Sequence, residues 1–142
     1  EGEGSMSIQY NAVKKDLPPE QLHRLFRAVG WSDGSETEDM KSKFSLPFIG
    51  STLVVSAWEG ERLVGAVRVL SDGIFHSVIY DLLVDPAYQG NGIGRELVRR
   101  CLDRYPDAEW SLQTTEDVAG FYEKLGLQRA KGVFLYRPSK YF

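Results

Sequence analysis

Apolar and polar positions alternate with different periods along this chain, and each change of period marks an element. SIQYNAV (7–13) alternates weakly and predicts a first strand. LPPEQLHRLFRAVGW (17–31) opens on paired prolines, sets Leu22, Leu25, Phe26 and Val29 on one face and stops at Gly30, which predicts a helix. Residues 32–51 turn polar and then aromatic, with Pro47 and Gly50 near the end, and predict a loop carrying a short helix. TLVVSAWEGERLVGAVRVL (52–70) reads as two strands about a tight Glu59-Gly60-Glu61 turn. FHSVIYDLLV (75–84) is the strongest strand pattern, interrupted by Asp81.

A glycine-rich loop follows, then a helix from about Asn91 to Tyr105, closed by Pro106. EWSLQT (109–114) predicts a short strand, and EDVAGFYEKLG (116–126) a helix with acidic residues in its first turn and Gly126 at its end. LQRAKGVFLYRP (127–138) reads as two short strands about Lys131-Gly132. The order β-α-α-β-β-β-α-β-α-β-β predicts a mixed α/β fold: one mostly antiparallel sheet of about six or seven strands with helices on both faces. With no repeat and no linker, 6–142 reads as one domain, and EGEGS before Met6 reads as a cloning remnant.

Composition narrows the function. The chain has 142 residues, 42% hydrophobic and 26% charged, as an ordinary globular domain does. Its net charge of -3 offers no basic field for a phosphate backbone, so no nucleic-acid partner is expected. It shows neither a membrane-length apolar run nor a signal-peptide pattern, so a cytoplasmic location away from the membrane is expected. The single cysteine, Cys101, is in phase with Ile93, Leu97, Val98 and Leu102, which suggests core packing and not a nucleophile. His23 and His76 are too few and too scattered for a metal cluster, and no metal is expected.

Candidate chemistry gathers at QGNGIG (89–94), where three glycines run straight into a helix. A steric turn explains one or two of them. A sharper reading is that Gly90, Gly92 and Gly94 clear side chains from backbone N–H groups at a helix N-terminus, where an anion is favoured. The glycine spacing is not that of a dinucleotide-binding turn, and no Gly-Lys-Ser/Thr follows as a nucleotide-hydrolysing P-loop requires.

Gln-x-x-Gly-x-Gly at 89–94, with YDLLVDPAYQGNGIG leading in and FYEKLGL (121–127) downstream, resembles the GNAT superfamily of acyl-CoA-dependent N-acyltransferases over nearly all of 7–138. LFRAVGW (25–31), IYDLLVDPAYQGNGIG (79–94), FYEKLGL (121–127) and KGVFLYRP (131–138) are further similar to the branch holding plant chloroplast serotonin N-acetyltransferases. Bacterial relatives of other substrate choice share those segments, so the acceptor stays open.

The resemblance implies an N-acetyltransferase that moves an acetyl group from acetyl-CoA to a primary amine in a ternary complex. The diphosphate falls to Gln89, Gly90, Asn91, Gly92, Ile93, Gly94 and Arg95, with a solvated Arg95 as the alternative. The pantetheine arm falls to the backbone of Leu82, Leu83 and Val84. Tyr122 matches the family's general acid for the departing thiolate; packing is the alternative. Many members carry Asn where this chain has Thr115-Glu116-Asp117, which leaves the backbone to make that contact.

Asp81, a carboxylate inside a strand, is the candidate for binding the ammonium or taking its proton, with Tyr80 or His76 as substitutes and a structural hydrogen bond as the alternative. Trp31, Phe44 and Phe48 form an aromatic pocket for the substrate or belong to the core. The expected acceptor is a small-molecule amine, such as an arylalkylamine or polyamine, or a lysine-bearing substrate. A homodimer is common in such folds, and KGVFLYRPSKYF is a candidate for pairing across it. The competing class is an acyl-CoA-binding or protein-interaction module without turnover.

Overall fold

The structure is a computed structural model that describes residues 7–141. Its elements are β1 (Gln9–Asn11), α1 (Pro19–Ala28), α2 (Glu38–Ser42), α3 (Leu46–Ile49), β2 (Leu53–Glu59), β3 (Arg62–Ser71), β4 (His76–Val84), α4 (Ile93–Arg104), β5 (Glu109–Ser111) and α5 (Glu116–Glu123). They build one five-stranded sheet in the order β1-β2-β3-β4-β5, antiparallel except for the β4–β5 pair.

Strand alternation divides the core into two layers. Leu53, Val55, Ala57, Val67 and Val69 face α4, where Ile93, Leu97, Val98 and Cys101 meet them. Val54, Ala66 and Leu83 face Leu22, Leu25 and Phe26 of α1, with Phe44 and Phe48 closing that layer. Helices on both faces of a mostly antiparallel sheet are what the sequence predicts.

Gly65 sets the distance between α4 and the sheet. A Cβ there would meet Leu97 Cδ1 at 3.1 Å, Ile93 Cγ2 at 3.2 Å and the Leu83 carbonyl oxygen at 3.2 Å. The two side chains can shift a little, but the carbonyl belongs to the sheet ladder. Gly65→Ala should therefore cost about 1–3 kcal/mol. Urea unfolding checks this: the midpoint should fall with the m-value unchanged.

Three expectations need correction. The first strand is confined to Gln9–Asn11, because only three rungs pair it with β2. The interval 32–51 holds two short helices, with Thr37 capping α2 through a hydrogen bond from the Met40 amide. Residues 127–138 form no strand: among the described residues β5 pairs with β4 alone, so the sheet has five strands and not six or seven. Residues 1–5 lie outside the described residues.

Candidate active site

The site begins where the sheet comes apart. β4 and β5 share only the rungs His76–Glu109, Ser77–Trp110 and Val78–Ser111; beyond Val78 the two chains diverge. β4 runs on to Val84 with β3 on its other side. The Asp85 amide donates to the Val64 carbonyl of β3, so by antiparallel alternation the backbone groups of Leu82 and Val84 face the open edge, while those of Leu83 face β3.

The divergence leaves a cleft of about 1020 Å³. Ile79, Tyr80, Leu82 and Val84 form one wall, and Leu112 to Thr115 with α5 form the other. The start of α4 closes one end and Trp31 flanks it from the end of α1. Such a volume is at the upper end for small-molecule sites.

The glycine loop is built as an open helix terminus. Gly92 is the N-cap of α4 at φ +77°, in the left-handed region where a side chain is strained. The first helical bond runs from the Glu96 amide to the Gly92 carbonyl at 3.0 Å, so the amides of Ile93, Gly94 and Arg95 precede the ladder and lie at the positive end of a twelve-residue helix. Gln89, Gly90, Gly92, Ile93, Gly94 and Arg95 all line the cleft. Lys124 adds a second cation to the wall and Asp117 an acid.

Asp85 fixes the approach to the loop, and the sequence reading missed it. It is buried, its Oδ1 accepts from the Ala87 amide at 3.0 Å, and its Oδ2 accepts from Arg24 at 3.2 Å and Arg62 at 3.1 Å. One carboxylate thus ties α1, β3 and the turn before the loop together. An Asp directly before Pro86 is the signal that marks it.

Tyr122 lies in this cleft, 8% exposed, with its ring edge-on to Phe121 at 5.0 Å. Burial raises its pKa above the ordinary 10.0 and keeps the phenol protonated at neutral pH. Tyr80, 56% exposed, and Trp31, 48% exposed, present aromatic surface to the same space.

Six candidate residues stand elsewhere. The Asp81 carboxylate is outside the cleft wall and is held by Arg68 Nε at 2.5 Å, a bond to the neighbouring strand. The Arg68 guanidinium lies against Phe48 (6.0 Å) and Tyr80 (5.4 Å), so Asp81 pairs with the group that packs on Tyr80. Opposite charges inside two neighbouring strands, Arg68 in β3 and Asp81 in β4, are the signal that would have paired them. Leu83 is fully buried against α1, on the far side of the sheet. Asn91 does not line the cleft; its side-chain amide donates back to the Tyr88 carbonyl at 2.9 Å and shapes the loop.

His76 is at the far end of β4, beside Glu109 at 3.0 Å. Phe44 and Phe48 are buried core residues. Cys101 is buried too, and its thiol is pushed up to about 12, which leaves no nucleophile there.

An open α4 N-terminus, an unpaired β4 edge and a buried tyrosine on one cleft make a geometry that can be compared with known proteins. The profile of the Acetyltransferase (GNAT) family matches residues 17–127. The chain belongs to the GNAT family. It is an acetyltransferase.

Its relatives agree. An uncharacterized N-acetyltransferase ycf52 of Pyropia yezoensis is 28% identical over 138 residues, covering 89% of this chain and 76% of that protein. The chloroplastic GCN5-related N-acetyltransferase 2 of Arabidopsis thaliana is 31% identical over 132 residues, covering 88% of this chain and 45% of that longer protein. Among solved structures, a putative acetyltransferase from Deinococcus radiodurans superposes with a TM-score of 0.73 at 31% identity, over 92% of this chain and 88% of the other.

Within this GNAT domain the residues that front the cleft come from β4, α4 and α5, which all fall inside the matched range. Gln113 and Thr114, which the sequence did not single out, form a wall with Thr115, which it did. Thr115 is the N-cap of α5 and its side chain makes no capping bond, so a second helix N-terminus also borders the cleft.

Proposed function

We propose that this acetyltransferase moves an acetyl group from acetyl-CoA to a primary amine, with both bound at once in the β4–β5 cleft. The observation that carries the reading is that the unpaired amides of α4, the free edge at Leu82 and Val84, and Tyr122 all front one space. The fit is chemical. A diphosphate suits the amides from about Gly92 to Arg95, with Arg95 and Lys124 adding positive charge. An amide-bearing pantetheine arm suits a strand edge that lacks a partner.

When bound, acetyl-CoA supplies an activated acyl thioester; the chain supplies position and a proton. The backbone of Leu82 and Val84 would hold the arm, and Tyr122 lines the same cleft. Tyr122 donates its phenolic proton to the departing sulfur, and burial keeps that proton in place at pH 7. An amine of pKa about 10.4 is neutral in only roughly one molecule in a few thousand at pH 7, so its proton must leave before attack. Tyr80, on the cleft wall, would meet the amine, and the Arg68–Asp81 pair packs against it. Trp31 and Tyr80 favour an arylalkylamine or another cation with an apolar body.

Thermal unfolding with and without acetyl-CoA tests this, with NADH and ATP as controls. Acetyl-CoA at about a hundredfold excess over its Kd should stabilise the chain by about 2.7 kcal/mol, a rise in Tm of roughly 8–10 °C. The shift should grow with concentration, and the controls should do little. No shift at millimolar acetyl-CoA would leave the glycine loop as a steric turn.

A further inference from the structure

Between α1 and α2 the chain folds back onto α1 around one carboxylate. Glu36 Oε1 accepts from Ser32 Oγ at 2.7 Å and faces His23 Nε2 at 3.0 Å, while its Oε2 lies 2.8 Å from the same hydroxyl. An ionised carboxylate only accepts, so the imidazole turns an N–H toward it. The group is largely withdrawn from water: 12% of the His23 side chain and 17% of the Glu36 side chain are exposed, and Ser32 is buried. The Ser32 bond first, and the His23 bond second, hold the Glu36 carboxyl below its ordinary range and keep it charged at neutral pH.

The rest of the loop is fastened to the same place. Ser32 Oγ accepts from the Gly34 amide at 3.0 Å, and Arg27 of α1 lies so close to Gly34 that a Cβ there would meet its Cζ at 2.8 Å. The His23 ring packs on Phe44 at 5.2 Å, and Phe44 on Phe26 at 5.1 Å. Serine, histidine and acid together invite a hydrolytic reading, but the order is wrong. A nucleophile needs the histidine between itself and the acid, whereas here hydroxyl and imidazole both turn to the carboxylate.

The residue next to Ser32 is Trp31, which lines the cleft and is half exposed. The Trp31 and Ser32 amides both donate to the Phe26 carbonyl, at 2.9 and 3.2 Å, and the indole meets the Phe26 ring edge-on at 5.8 Å. Trp31 is thus placed by α1 on one side and by the Ser32–Glu36 bonds on the other. An exposed aromatic wall that is already ordered spares an incoming ligand the cost of ordering it.

We propose that Glu36 is a positioning residue for the acceptor: through Ser32 and His23 it pins the loop after α1, so that Trp31 stands ready on the cleft wall. This role rests on the amine entering beside Trp31, as in the function proposed above. Ordering one side chain accounts for up to about tenfold in affinity.

The test uses the full chain with phenethylamine and saturating acetyl-CoA, followed by thiol release. Glu36→Ala should raise the KM for phenethylamine by about tenfold, with kcat within about twofold and the thermal shift given by acetyl-CoA unchanged. Ser32→Ala cuts the same bond from the other side and should act alike. In a chain already carrying Trp31→Ala, adding Glu36→Ala should move KM by less than about twofold, because the group it positions is gone. Hydrogen exchange of the Trp31 and Ser32 amides should quicken by about tenfold in Glu36→Ala, while the interior amides of α1 keep their protection. An unchanged KM in both single variants overturns the proposal, as does an undiminished rise in the Trp31→Ala background or unchanged exchange at Trp31 and Ser32. If the unaltered chain releases no thiol with phenethylamine, the acceptor reading fails and takes this role with it, whereas a working enzyme whose KM ignores Glu36 overturns the latch alone.

Discussion

Tyr122→Phe should lower turnover by at least about tenfold, approaching the roughly 10²–10⁴-fold share of a positioned general acid, while acetyl-CoA affinity stays within about twofold. Phenylalanine keeps the ring against Phe121 and the packing of α5; only the hydroxyl, the proposed proton donor to the thiolate, is lost. The pH profile separates this loss from simple packing damage. The phenol donates only while protonated, and burial places its pKa above 10.0, so the acid is fully present at lower pH and lost as pH rises through the elevated value. In the unaltered chain turnover should rise with pH as the amine deprotonates and fall only above pH 10. In the variant the plateau should be lower and that alkaline fall absent. Thiol release with an accepted amine measures both, and an unchanged rate would remove the acid assignment.

Gly92→Asp should abolish acetyl-CoA binding in a chain that still folds. Two costs are imposed, and they can be separated. The N-cap conformation at φ +77° strains any side chain by about 1–2 kcal/mol, less for Asp, which tolerates the left-handed region. The new carboxylate then faces the proposed diphosphate at the mouth of α4, where like charges about 4 Å apart repel by about 4 kcal/mol at surface dielectric. That is about three orders of magnitude in Kd. Gly92→Ala is the companion: it carries the strain without the charge, so it should lose stability and much less affinity. Titration calorimetry on both reads the difference. A folded Gly92→Asp chain that binds acetyl-CoA as before would show that the loop does not hold the diphosphate.

The legible parts of the fold were those whose signal is local. The hairpin of β2 and β3 follows from alternation broken by Gly60, and α1 follows from Pro18-Pro19 and a single apolar face; both depend on their own residues. Residues 127–138 were read as strands because VFLY has the right content, but a strand exists only with an edge beside it, and propensity does not supply one. In the site, the loop was legible because glycines before a helix have a physical meaning, whereas Tyr122 stood out only through the resemblance carried by FYEKLGL.

Asp81 shows why strand position alone misleads. Between Arg68–Asp81 and Val69–Ile79 the register slips, leaving Tyr80 as the extra residue of a bulge. That irregularity lets Tyr80 face the cleft while Asp81 turns to Arg68. No count of alternating positions reveals it, because the bulge is a property of two strands together. The family resemblance named the neighbourhood, and pairing decided which neighbour entered it.

The three-rung seam between β4 and β5 has a mechanical consequence. The sheet is two panels, a broad one of β1 to β4 clamped by α1 and α4 and a narrow one of β5 carrying α5, whose strands pair only from His76 to Val78 while Tyr122 packs into the shared core. A molecule lodged along the free edge of β4 would act as a splint between them, replacing the missing ladder.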